Sequence, residues 1–440
     1  MKQIKRMLVL IVALSLISML FSACGQNSST QQAVSSGGDE PSEKTASEEQ
    51  SGEAGGATGE VRYIRLADHP RKEAIDVAVA NNPGLTVDEE SVPFDNLDSK
   101  INMAHASGQD YDLIQVNNSS IKQFYATGVL EPLDGYLSRG GLDSVLEKNY
   151  SPSLLEIGKV NGSYYAISYA PDCRLLAYNK KILDKAGLEP PKDQDDVLGI
   201  AKAIAKDGLY IFARSMDTPL APAYIEGCFF LANGAKICTE ADGKVKANTN
   251  TPEMIKSVEF WKSLVPYMPK DPNMSGEQVA QYFIQGKTVF HIYGPWDISG
   301  KIGETLKYGE DYGLMLAPGD KKNGSTAGGW FIGIGAGGKN KDGAWEIIKA
   351  SMEPEIVTKI CNGLPPDKRC YEMAPFNGQI YKPFMEGLSA AEPPFPITPS
   401  FNKINDIFFE YFNRVLIGGE DTAAAMETCN TEIQKVLDEE

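Results

Sequence analysis

From Val61 onward the chain alternates short apolar strands with capped helices, and that order restricts it to folds built from strand–helix–strand units. "VRYIRLAD" has strand periodicity, and "IDVAVANNP" is a helix stopped by its Asn-Asn-Pro run. "LTVDEESVP" is a second strand, "NLDSKINMAHASG" a helix with Gly108 past its end, "YDLIQV" a third strand and "SIKQFYATG" a helix closed at Gly128. The pattern predicts an α/β protein with a mostly parallel sheet. It continues through the strands "GSYYAISYA" and "RLLAY" and the helices "NKKILDKAG" and "DQDDVLGIAKAIAKDG". "TPEMIKSVEFWKSL" starts with Thr251 as N-cap and Pro252 after it, and "SGEQVAQYFIQG" starts at a Ser275 cap. "KTVFHIYGPW" is a strand running into a Gly-Pro loop. No fixed-period repeat interrupts the order.

With 440 residues the chain has room for two or three domains. A net charge of −17 argues against nucleic acid as a partner, because phosphate binding needs clustered Lys and Arg. Lys2, Lys5 and Arg6 precede the apolar run "MLVLIVALSLISMLF", and "SAC" closes it at Cys24. A basic start, a short apolar run and small residues read as a secretory signal. Cys24 after the small pair resembles the bacterial lipobox, in which the cysteine becomes a lipidated N-terminus. Phe21 stands where such boxes usually carry Leu. Residues 25–60 contain no large apolar side chain except Val34 and cannot offset their ordering entropy. They are expected to form a flexible tether with an r.m.s. span of roughly 35 Å. The six remaining cysteines, at 173, 228, 238, 361, 370 and 429, permit disulfides or six buried thiols. None forms C-x-x-C, the three histidines are far apart, and no metal or cofactor is expected.

Six further stretches fall in a telling order: "ASGQDYDLIQV", "YATGVLEPLDGYL", "NGSYYAISYAPDCRLLAYNKKILDKAGLEPPK", "FIQGKTVFHIYGPW", "STAGGW" and "KNKDGAWEIIKASMEPE". Together they resemble the bacterial extracellular solute-binding proteins of ABC sugar importers, the oligosaccharide-binding group that includes maltose-binding protein. "PPKDQDDV" departs from that pattern, which usually has an aromatic near the start of its helix. The resemblance implies a periplasmic-binding-protein-like fold of two discontinuous α/β lobes, a hinge and an interlobe cleft. It places lobe one at 61–170 with 316–363 and lobe two at 171–315 with 364–440. It also implies a carbohydrate ligand, an ABC permease as partner, a monomer on the outer face of the bacterial membrane and no enzymatic role.

"GGWFIGIGAGGKNKDG" contains G-x-G-x-x-G at Gly333, Gly335 and Gly338. A dinucleotide cradle needs the helix to open at once, whereas "KNKD" intervenes and Asp342 is expected to cap the helix. An acidic cap repels phosphate, so the run reads as a strand end and loop. Trp330 is the more informative residue. Gly328 and Gly329 let backbone approach a ligand, and an indole can stack on the apolar face of a sugar ring. Trp296, presented by Pro295, has the same character, while Trp261 and Trp345 occupy apolar helical positions.

Asp68 and His69 follow the first strand and Asn117 and Asn118 the third, at the strand ends where open α/β sheets bind ligands. Their donors and acceptors suit hydroxyls. The resemblance adds Asp172, Tyr224 as an aromatic platform, and Gly329. Arg369, after "LPPDK", is a candidate for an acidic sugar or else a solvated charge. No G-x-S-x-G elbow or P-loop is present. A secreted carbohydrate-active enzyme needs only two carboxylates and stays open as an alternative, as does a receptor for a polyamine, peptide or metal complex.

Overall fold

Two sheets organise the chain. Thr58–Leu66 (β1), Gly84–Val92 (β2), Leu113–Asn117 (β3), Ile167–Cys173 (β4) and Ala327–Ile334 (β8) belong to a five-stranded sheet in the order β2-β1-β3-β8-β4. Leu175–Asn179 (β5), Phe290–Tyr293 (β6) and Tyr312–Met315 (β7) form a three-stranded sheet in the order β6-β5-β7. This computed structural model describes residues 56–440, except 68, 70, 216–218, 242–243, 272–273 and 362 and the side chain of residue 95. The expected signal segment, Cys24, most of the tether and Asp68 lie outside the described residues.

The expected parallel pairing is confined to one side of the first sheet. β1 pairs parallel with β2 and with β3, each linked through helices such as Lys72–Asn81 and Leu97–Ala106. β8 runs antiparallel to both β3 and β4, and β5 is antiparallel to both its neighbours. The expectation of a mostly parallel sheet is therefore corrected. β8 is not fed by a strand–helix crossover from β3; it returns from a distant stretch of chain and enters the sheet from the opposite end. The central strands are buried on both faces, with Val61, Tyr63 and Ile64 of β1 and Leu113 and Val116 of β3 all at 1% exposure or less.

Local signals hold well. Thr251 accepts a hydrogen bond from the Met254 amide (3.4 Å), and Ser275 and Gln278 form a complete capping box. Gly108 and Gly187 close their helices with positive φ. Three local expectations need correction. Asn340, not Asp342, caps Lys341–Ala350, its Oδ1 accepting from the Gly343 amide (3.1 Å). "GSYYAISYA" is not one strand: Ser163–Tyr164 pairs with Lys159–Val160 as a hairpin, and β4 starts separately at Ile167 and runs on through Pro171. The glycine motif is not only a loose end, since Gly333 lies inside β8.

Trp345 (6% exposed) packs with Val61, Leu85 and Ile332 in the core of the first sheet, and Trp261 (1%) with Phe212 and Phe229 in a second cluster. All six described cysteines are free thiols, five of them buried. Among the described residues no helix is long and apolar enough to cross a membrane.

Candidate functional site

Strand direction brings the site together. β1, β2, β3 and β4 all end at one edge of the sheet, and antiparallel β8 begins there. Residues just past the first four strands and at the start of the fifth therefore meet. Trp330 lies opposite Asn117 on one side and Ala170 on the other. The register slips between Trp330 and Phe331, a bulge that re-aims a side chain relative to regular alternation. Phe331 is fully buried, whereas Trp330 stays partly exposed.

Trp330 is held by edges. His69 approaches it at 5.4 Å between centroids and Phe94 at 5.8 Å, both edge-on. His69 is 7% exposed, and its Nδ1 lies 3.0 Å from the Tyr169 hydroxyl. Trp330, His69 and Phe94 line a recess of about 570 Å³, together with Ala170, Asp172, Pro295, Trp296 and Gly363. A second recess of about 210 Å³ shares Phe94 and Trp330 and adds Asn117, Ser119, Asp98 and Asp406. Trp330 thus stands between two hollows.

Gly329 explains how the strand start comes so close to β4. Its φ is +129°, and a Cβ there would lie 2.6 Å from the Ala170 carbonyl oxygen. Its amide donates to Asn118 Oδ1 (3.2 Å), and Asn118 Nδ2 donates to the Tyr224 hydroxyl (2.8 Å). Asn117 Oδ1 accepts from the Ser119 amide (3.1 Å) and hydroxyl (2.8 Å), an Asx turn that presents the second recess.

An ion pair stands at the end of β4, beside the start of β8. Asp172 pairs with Arg174, whose guanidinium lies over the Tyr224 ring (4.7 Å to the centroid) and the Trp296 ring (5.3 Å). Burial pushes the Asp172 carboxyl above its usual range, and Arg174 pulls it part of the way back. Burial likewise raises Asp98, opposed by the hydrogen bond it accepts from Ser120. Trp296 is 45% exposed and opens the short helix Trp296–Ser299.

The structure thus brings His69, Asn117, Asp172, Trp296 and Trp330 to the recesses, with Asn118 and Gly329 forming the floor beneath. Tyr224 does not act there as an open platform. It is 5% exposed, lines neither recess, and carries Arg174 on its face. Arg369 is not brought to either recess; its guanidinium is held by buried Asp367 at 2.6–3.1 Å. Phe94, Asp98 and Arg174 were missed. Phe94 carried the same strand-end signal as His69, and Arg174 sits two residues from Asp172 on an extended segment, hence on its face.

The glycine fingerprint lies away from this edge. Buried Asp112 fills its turn, accepting from the Asn340 amide (2.7 Å) and the Arg62 amide (2.8 Å), and a Cβ on Gly338 would meet Asp112 at 2.9 Å. A carboxylate occupies the place a phosphate would need.

Comparison with known proteins agrees with this architecture. The family model for bacterial extracellular solute-binding proteins matches residues 68–357, and the chain belongs to that family. It is 25% identical over 403 residues to a binding protein of Brucella abortus (strain 2308), covering 86% of this chain and 93% of that one. It is 27% identical over 275 residues to the maltotriose-binding protein of Pyrococcus abyssi (strain GE5 / Orsay), covering 60% of this chain and 56% of the relative. Its fold is similar to that of the sugar-binding protein MalE from Xanthomonas citri, with a TM-score of 0.73 at 22% identity over 87% of this chain and 98% of the other. The fold is the two-lobed, periplasmic-binding-protein type, and its family is one of binding proteins rather than enzymes.

Proposed function

We propose that this chain is the receptor of an ABC importer that captures a carbohydrate, an oligosaccharide, and delivers it to the membrane permease. The observation that carries this reading is that Trp330, Trp296 and Asp172 line one recess, with Asn117 beside Trp330. Indole faces take the C–H face of a sugar ring, and carboxylate and amide take its hydroxyls. The name of the Pyrococcus relative, a maltotriose-binding protein, supports the same ligand class. Lipidation at Cys24 and a free tether over 25–60 would hold the receptor, as a monomer, at the outer membrane face. Lobes at 61–170 with 316–363 and 171–315 with 364–440 would close on the ligand.

A thermal-shift screen over mono-, oligo- and acidic saccharides tests the ligand class. A true ligand at 100 times its Kd adds about 2.7 kcal/mol of stability. Failure of every saccharide to raise the melting temperature, with a polyamine or peptide succeeding, would replace this reading by the other receptor class. For the anchor, Cys24→Ala in a bacterial host should leave the precursor unprocessed or release the protein from membranes. Identical fractionation and mass would remove that part.

A further inference from the structure

Behind Trp296 lies a third hollow that the site described above does not use. Its volume is about 460 Å³, and Phe212, Arg214, Glu226, Trp261, Ile292 and Trp296 are among its walls. Trp296 also lines the main recess, so the two hollows share that indole as a partition.

The polar atoms of these walls are incompletely paired. Arg214 Nε donates to Glu226 Oε1. That leaves Arg214 Nη2 and Glu226 Oε2 buried with no hydrogen-bond partner among the described residues, and Trp261 Nε1 is in the same state. Glu226 is 2% exposed and Trp261 1%. Leaving a buried donor or acceptor unpaired is unfavourable, and native proteins keep few of them. Three such atoms on residues lining one hollow mark a place that something polar completes.

The chemistry of the missing partner is restricted. Two of the atoms are donors and one is an acceptor. A purely apolar occupant would leave all three unpaired. An anion would be drawn to Arg214 but repelled by Glu226, and a cation the reverse. Hydroxyls accept and donate at once, and so meet the whole set without adding charge. The aromatic and aliphatic walls suit the C–H face of the ring that carries them.

We infer that this hollow seats a further neutral sugar ring of the same ligand, reached past the Trp296 partition, so that the protein selects uncharged oligosaccharides over single sugars. The inference rests on the carbohydrate reading above. It makes Arg214 and Glu226 length-selecting residues that the main recess does not require.

Calorimetric titration of one neutral saccharide series, from the monosaccharide upward, tests it alongside the matching uronic series. Wild type is compared with Glu226→Gln and with Val279→Trp, which fills the hollow from a half-buried wall position. In wild type, affinity should rise with chain length and neutral chains should bind more tightly than uronic ones. Both variants should lose about ten-fold for the longer chains while binding the shortest binding member unchanged. If Glu226→Gln fails to fold, Val279→Trp with a wild-type-like melting curve decides alone. Retention of the full length advantage by Val279→Trp overturns the inference, as does equal wild-type affinity for uronic chains. Both outcomes leave the carbohydrate reading intact. If no saccharide binds wild type, the reading and the inference fall together.

Discussion

The two tryptophans that face the main recess stand on foundations of different kinds. Trp330 belongs to a strand paired on both sides, and a bulge and two edge-on rings fix its direction. Trp296 begins a four-residue helix, is 45% exposed and has Arg174 over its ring. If both indoles meet ligand as proposed, one wall would be set by the sheet before ligand arrives, and the other would be held by fewer and more exposed contacts. Affinity that depends on pre-organisation is then carried by the first wall, and adaptation to the ligand by the second.

The sharpest way to break the contrast is to compare both residues with the two core tryptophans. Trp261→Ala and Trp345→Ala should each lower unfolding stability by about 3–5 kcal/mol, read from denaturant melts, with near-normal binding of the shortest binding saccharide where protein remains folded. Trp330→Ala should instead weaken saccharide binding by roughly 1–3 kcal/mol in calorimetry. Trp296→Ala should weaken binding similarly but disturb the melting curve less, because its indole is half in solvent already. Equal stability losses at 296 and 330 would remove the distinction between fixed and adaptable walls.

A smaller effect probes the floor. Tyr224→Phe deletes the hydroxyl that accepts from Asn118 Nδ2 and leaves that buried donor unpaired. A loss of about 1–3 kcal/mol is expected, larger than for an exposed tyrosine. The smallest effect concerns Asp98, in the second recess. Burial raises its carboxyl above the ordinary aspartate value of 3.8, so the folded state holds the proton more tightly than the unfolded chain. Its contribution therefore favours folding at acid pH and is lost as pH rises from about 3.8 through the folded value. Asp98→Asn should flatten that part of the stability–pH curve, measured as the difference from wild type between pH 4 and pH 7. A steeper decline in the mutant would reverse the assignment.

What could be read from the sequence was whatever a few neighbouring residues decide. Thr251, Ser275 and Gly187 announced helix ends because caps act within one turn. Strand direction was not legible, because the orientation of Ala327–Ile334 depends on Asn117 and Ala170, far away along the chain. Asn340 and Asp342 both offer a capping oxygen, and the bonds that Asn340 makes to Asp112, Thr58 and Glu60, far away along the chain, select the first. The strand-end rule found His69, Asn117 and Asn118 and should also have found Phe94. It gave no hint that Arg369 would be taken up by Asp367, or that Tyr224 would lie under Arg174 instead of facing the recess.

Asn118 carries one last consequence, for the order of folding. Its two side-chain bonds reach Tyr224 and Gly329, across 106 and 211 residues of chain. Contacts that close such long loops form slowly, after local helices and hairpins have settled. These bonds are therefore expected among the last to form, and, on the proposed function, a molecule with most of its secondary structure in place would still lack a finished binding site until that single amide finds both partners.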